Sequence, residues 1–146
     1  MAYTNFTDLK ASVANYLGRT DLTSVIPDFI SFAELRMARD LRTRQMLKSA
    51  NALTVSGDGK VALPTDFLEI RDLHIQGSPR YPITYMSPST FTRDAPADES
   101  GKPIYYTILA SEFELAPKPD TAYTLEILYY AKPTVLSTGN ASNVFL

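Results

Sequence analysis

Apolar residues near the start of the chain recur at intervals of three and four: Phe6, Leu9, Val13, Tyr16 and Leu17. That period places them on one face of an amphipathic helix. Thr4, Asn5 and Thr7 are candidate caps for its start, and Gly18 suits the left-handed position just past its end. Asp21 or Thr23 opens a short turn. Pro27 then fits the first turn of a second helix, where its missing N–H is not needed, and Asp28 favours the positive end of that helix dipole. From Pro27 to about Gln45 nothing breaks the helix, and Phe29, Ile30, Ala33, Met37 and Leu41 trace an apolar stripe with Phe32 and Leu35 beside it. Arg36 and Asp40, four apart, can pair on an exposed face.

After residue 50 the pattern changes, because nine of the ten prolines and five of the six glycines fall there, with β-branched and aromatic residues between them. Leu53 and Val55, then Ser56–Gly59, then Val61 and Leu63 read as a small hairpin. Phe67–Ile75 is a further strand and Tyr81–Met86 a short one, and Ser87 caps a single helical turn ahead of a loop over Asp94–Gly101. Three antiparallel strands end the chain, at about Ile104–Leu109, Glu112–Ala116 and Tyr123–Tyr130. Alternation assigns their faces: Phe113 and Leu115 oppose Glu112 and Glu114, and Tyr123, Leu125, Ile127 and Tyr129 oppose Thr124 and Glu126, as in a sheet with one wet face. Leu128 and Tyr130 break the alternation, so the end of the last strand is expected to be covered on both sides. The fold class is therefore α+β: a helical region over residues 1–50, then an antiparallel β-rich lobe over 51–146.

A chain of 146 residues, 45% hydrophobic and 21% charged, is long enough to bury a core without staples. It has no cysteine, which excludes a disulfide framework, a thiolate zinc site and a cysteine nucleophile. The start carries no basic stretch followed by an apolar run, and no segment approaches the roughly 20 apolar residues of a membrane span. A soluble protein without a signal peptide and without a membrane role is expected. Residues 1–50 carry seven basic against five acidic side chains, and residues 51–146 seven against eleven. The global basic footprint of a nucleic-acid binder is missing.

Candidate chemistry is sparse. His74 is the only histidine, set between Leu73 and Ile75 in a strand, with no partner or pocket that the sequence identifies, so a structural place is expected for it. Asp66, Glu69 and Asp72 are three apart; in a regular strand Asp66 and Asp72 share one face and Glu69 takes the other. Glu112 and Glu114 share a strand face, roughly 7 Å apart, a spacing that a metal or a sugar hydrolase can use and that a solvated face explains equally well. No phosphate loop, nucleophile elbow or His-Glu-x-x-His motif occurs. No enzyme, cofactor or metal is expected. Arg36, Arg39, Arg42, Arg44 and Lys48 against Asp40 give +4 in thirteen residues, suited to phosphates or to an acidic protein surface, or simply to water. On a helix Arg36 and Arg39 lie on neighbouring turns while Arg42 and Arg44 diverge from them, so a diffuse contact surface is expected. Seven of the nine tyrosines lie at or after Tyr81, a residue type suited to interfaces as well as to cores.

The ordered blocks Phe6-Thr-Asp-Leu-Lys10, Val13-Ala-Asn-Tyr-Leu-Gly18, Ile26-Pro-Asp-Phe-Ile30, Arg39-Asp-Leu-Arg42, Lys102-Pro-Ile-Tyr-Tyr-Thr-Ile108 and Tyr123-Thr-Leu-Glu-Ile-Leu-Tyr-Tyr130 span nearly the whole chain. Together they resemble the head-to-tail adaptors of the tailed-bacteriophage neck. The resemblance implies a non-enzymatic virion protein that forms a twelvefold ring beneath the portal, extends the DNA channel and carries the tail. It implies portal and tail proteins as partners, non-specific contact with packaged DNA, and assembly in the host cytoplasm. Family members continue into further helices beyond Asn143–Leu146, which complete the helical bundle and contribute to portal docking, and this sequence stops there. Without those helices the stripe through Phe29, Ala33 and Met37 is under-covered, and self-association through the second helix is expected. Arg36, Arg39, Arg42 and Arg44 are the candidate contact residues. A DNA-binding regulatory module using the Arg-rich helix is the alternative function, and a hydrolase built on Glu112 and Glu114 a third.

Overall fold

The structure, a computed structural model, describes residues 4–19 and 21–146. They form two compact units, one from the N-terminal residues up to Met46 together with Lys132–Leu146, the other from Leu47–Ala131. In the first, α1 runs over Phe6–Leu17 with both expected ends: the Asn5 side chain accepts the Asp8 N–H at 2.9 Å, and Gly18, at φ 61°, closes the helix by donating to Ala14 and Asn15 carbonyls. The second helix, α2, spans Ile26–Asp40 with Pro27 in its first turn. It stops short of Gln45. Leu41 turns to extended backbone, and the Arg42 guanidinium donates to the carbonyls of Ala38 (2.9 Å), Arg39 (3.2 Å) and Leu41 (2.9 Å), two of which are helix-end acceptors. A single 3₁₀ turn, Arg44–Met46, leads out of the unit.

The buried face of α2 is Ile26, Ile30, Glu34 and Ala38, so the expected stripe is rotated and only Ile30 belongs to both. Its cover is the returning segment of residues 132–146, an irregular stretch with no periodicity to announce it. Phe6, Ile26, Ile30 and Leu136 make the small core, with Leu9, Val13, Ala14 and Leu146 against it.

The second unit contains β1 (Leu47–Leu53), β2 (Lys60–Ala62), β3 (Phe67–Ile75), β4 (Tyr81–Pro82), β5 (Thr84–Tyr85), the short helix α3 (Pro88–Asp94), β6 (Ser100–Gly101), β7 (Tyr105–Leu109), β8 (Glu112–Ala116), β9 (Lys118–Pro119) and β10 (Thr124–Ala131). One sheet has the order β1-β10-β3-β4, a second β2-β8-β7-β5, and β6 pairs with β9. With the helices this is an α+β protein, its long strand pairs antiparallel and only the short pairs β5–β7 and β6–β9 parallel. The inner faces of the two larger sheets share one core, in which Phe113, Leu115, Leu125, Ile127 and Leu73 are almost wholly buried. Ser87 caps α3 as expected.

Three sequence expectations need correction. The hairpin read over residues 53–63 does not form as a strand pair: β1 pairs along its length with β10, β2 pairs with β8, and only Val55 and Asp58 bridge locally. The Gly57–Gly59 turn instead lies on the other end of the unit's chain, Gly57 donating to the Pro119 carbonyl at 2.8 Å and Gly59 accepting from Leu115 at 2.7 Å. A Cβ on Gly59 would stand 3.0 Å from the Leu115 oxygen, which is why glycine is needed there. The last three strands are not one antiparallel set, since β7 and β8 belong to one sheet and β10 to the other. Finally, β3 is irregular at two points along its pairing with β10, so that Glu69, Asp72 and His74 oppose Tyr130, Leu128 and Glu126 on a single face. Bulges shift the alternation that a regular strand would keep. Glu69 and Asp72 therefore share a face, and Asp66 precedes the strand.

Candidate assembly surface

Only part of α2 is covered. Phe29 is 50% exposed, Phe32 66% and Leu35 47%, an unusual exposure for large apolar side chains on a 15-residue helix. On the flank of α2 towards α1 lies an open apolar groove of about 390 Å³, walled by Leu9 and Val13 of α1 and by Phe29, Ala33 and Met37 of α2. Leu136, Phe145 and Leu146 of the returning segment close its far side. A shallower depression continues from Ala33 and Met37 to Arg36, Asp40 and Leu41. The stripe through Phe29, Ala33 and Met37 is thus a groove wall rather than core.

What fixes the groove is a buried carboxylate. Glu34, 6% exposed, accepts the Leu136 N–H at 3.2 Å on each oxygen and the side-chain amide of Asn143 on one of them. Asn143 also donates to the Thr134 carbonyl at 2.9 Å, and Asn140 donates to the carbonyls of Thr134 and Val135. At the other end, the Phe6 N–H donates to Ala141 at 2.7 Å. These bonds satisfy both the acid and a segment that has no helix or strand of its own. Sequence reading passes over Glu34, because its partners lie more than a hundred residues away and a lone glutamate on a helix normally faces water.

The four candidate arginines do not gather into one patch. Arg36 and Arg39 both approach Asp40, at 3.6 and 3.0 Å, with most of each side chain exposed. Arg42 is turned back on the end of α2 as described above, and Arg44 is exposed on the 3₁₀ turn. In the β unit, His74 is buried with Nδ1 3.2 Å from Asp72 and Nε2 3.0 Å from Glu126, whose carboxylate also meets Arg80 at 3.5 Å. Each ring nitrogen faces its own carboxylate, and the Glu126 contact ties β3 to β10. Asp66 accepts Lys48 and the Tyr129 hydroxyl, each at 2.7 Å. Lys48 hydrogen bonding, followed by that of Tyr129, outweighs burial and holds the Asp66 carboxyl below the usual aspartate range. Burial first, then Asp66, pushes Tyr129 up to about 12. Glu112 lies 3.8 Å from Lys60 on the outer face of β8, while Phe113 and Leu115 face the core.

Among the described residues no cluster of three or more histidine, aspartate or glutamate side chains is arranged to hold a metal ion, and no helix is long and apolar enough to cross a membrane. Compared with known families, the chain matches the model of the SU10 adaptor protein family over residues 4–146. No curated protein matches it.

Proposed function

This chain belongs to the SU10 adaptor protein family, structural adaptors of bacteriophage virions, and from that premise we propose that it docks beneath the portal in the virion neck and links capsid to tail around the DNA channel. In this reading it assembles in the host cytoplasm as a homo-oligomeric ring, with portal and tail proteins as its partners. The observation that carries the reading is the apolar surface left open on α2: a groove walled by Phe29, Ala33 and Met37 fits an apolar helix or loop from a neighbouring virion protein. Arg36 lines the depression that continues from it, and Arg39, Arg42 and Arg44, spread beyond that depression, add positive charge towards an acidic portal surface or the backbone of packaged DNA.

Sedimentation velocity of the protein with and without the portal ring from the same source tests this. A heavier, defined complex is expected, weakened when Ala33→Glu places a charge in the groove. Absence of any complex at concentrations where the portal ring is intact overturns the docking role. Salt-dependent duplex binding stronger than portal binding would instead favour a DNA-binding module.

A further inference from the structure

The outer face of α2 is complementary to itself. Taking about 100° per residue, Asp28, Phe29, Phe32, Leu35, Arg36 and Arg39 all project within about 60° of the direction of Phe32, opposite the buried Ile26, Ile30, Glu34 and Ala38. Phe32 stands at the centre of this face and is its most exposed apolar side chain. Asp28, also exposed, lies four residues before it and Arg36 four after, with Phe29 and Leu35 three to either side.

We propose that a second copy of this chain covers the face, with the two α2 helices antiparallel about a twofold axis through Phe32. That axis exchanges positions equally spaced about Phe32. Phe32 meets the second copy's Phe32, and at each end Asp28 and Phe29 share a layer with its Leu35 and Arg36, so that Asp28 reaches its Arg36 across the seam; the layer occurs twice. The charged pairs sit about 6 Å of helix rise on either side of the axis and bracket the aromatic centre. Parallel pairing would set Arg36 against Arg36 and Asp28 against Asp28, which is repulsive. Arg36 is available for the exchange, since its contact with Asp40 is long, at 3.6 Å, and 79% of its side chain is exposed. Three apolar side chains per copy bury less than the ~800 Å² per partner of a standard interface, so the dimer is weak and forms with concentration. It shares Phe29 and Arg36 with the portal-docking surface, so the two contacts compete at that edge, while the Ala33–Met37 flank of the groove stays open.

Charge exchange and crosslinking test the geometry in the full chain. Asp28→Arg and Arg36→Asp, each alone, should weaken dimerisation in sedimentation equilibrium by about tenfold or more, and the double variant should restore it, because it rebuilds both pairs with the signs reversed. All these positions are exposed, so circular dichroism of the variants should match the parent, with melting lowered only slightly by loss of Asp28 from the first turn and of the Arg36–Asp40 pair. The chain has no cysteine, which makes single thiols unambiguous. Under mild oxidation Phe32→Cys should crosslink to itself, while Phe29→Cys and Leu35→Cys should crosslink only when mixed. A protein monomeric at all concentrations, failure of the double variant to recover, or a Phe29→Cys homodimer as abundant as that of Phe32→Cys would each overturn the proposal.

Discussion

Thr107 is wholly buried on β7, and its hydroxyl has no hydrogen-bond partner among the described residues. A buried hydroxyl left unpaired carries its desolvation cost with nothing in return. Thr107→Val keeps the branched shape and removes that cost, so it should stabilise the β unit by about 1 kcal/mol, read as a raised midpoint in urea. The Lys48–Asp66–Tyr129 group sets a pH dependence with two limbs. The folded value of Asp66 is lowered, so its contribution is complete above an unfolded value of about 3.9 and is lost as pH falls through the folded value. Tyr129 is raised to about 12, so its contribution is complete below about 10 and is lost as pH rises towards 12. Chemical denaturation across pH should show Asp66→Asn flattening the acid limb, and Tyr129→Phe, which removes the phenol, flattening the alkaline one. Equal pH profiles for parent and variants would contradict this assignment.

At the scale of the element, local chemistry was readable wherever it was settled locally. The Asn5 cap, the left-handed Gly18, Pro27 at the start of α2 and the Ser87 cap all follow from neighbours within four residues. Long-range choices were not readable. Ser56–Gly59 has hairpin wording, yet β1 finds its partner in β10, whose Leu125 and Ile127 pair with Ala52 and Ala50. The bulges in β3 have no sequence mark and reverse the relation of Glu69 to Asp72. The candidate surface was half legible: the apolar excess of α2 was visible, but the burial phase depended on Glu34 and on a segment without periodicity. The end of α2 offers a test of a device the stripe also concealed. Arg42→Ala removes donors from three carbonyls and should cost about 0.5–1 kcal/mol, measured by urea denaturation, while a variant at the exposed Arg44 should cost less.

The whole molecule divides its labour between a β unit with a large two-sheet core and a helical unit with a small one. The helical unit relies on polar bonds to hold its third, irregular segment in place, and Glu34 is the hub. Glu34→Ala should leave the Leu136 amide and the Asn143 side chain without their acceptor and cost about 1–3 kcal/mol, whereas Glu34→Gln, which keeps one carbonyl acceptor, should cost less. Hydrogen exchange followed by mass spectrometry is the appropriate measurement, because the loss should appear in α1, α2 and residues 132–146 and leave β3, β8 and β10 protected. Uniform loss across both units would mean that they unfold as one.

Because the helical unit is built from segments on either side of the β unit, its order of birth on the ribosome differs from its order in space. Residues 47–131 emerge as one continuous piece and can close both sheets during translation. Helices α1 and α2, synthesised first, must wait for Leu136 and Asn143 before Glu34 can be buried with its partners. Throughout that interval the nascent chain carries bare apolar helix faces, which stay uncovered until residues 132–146 emerge.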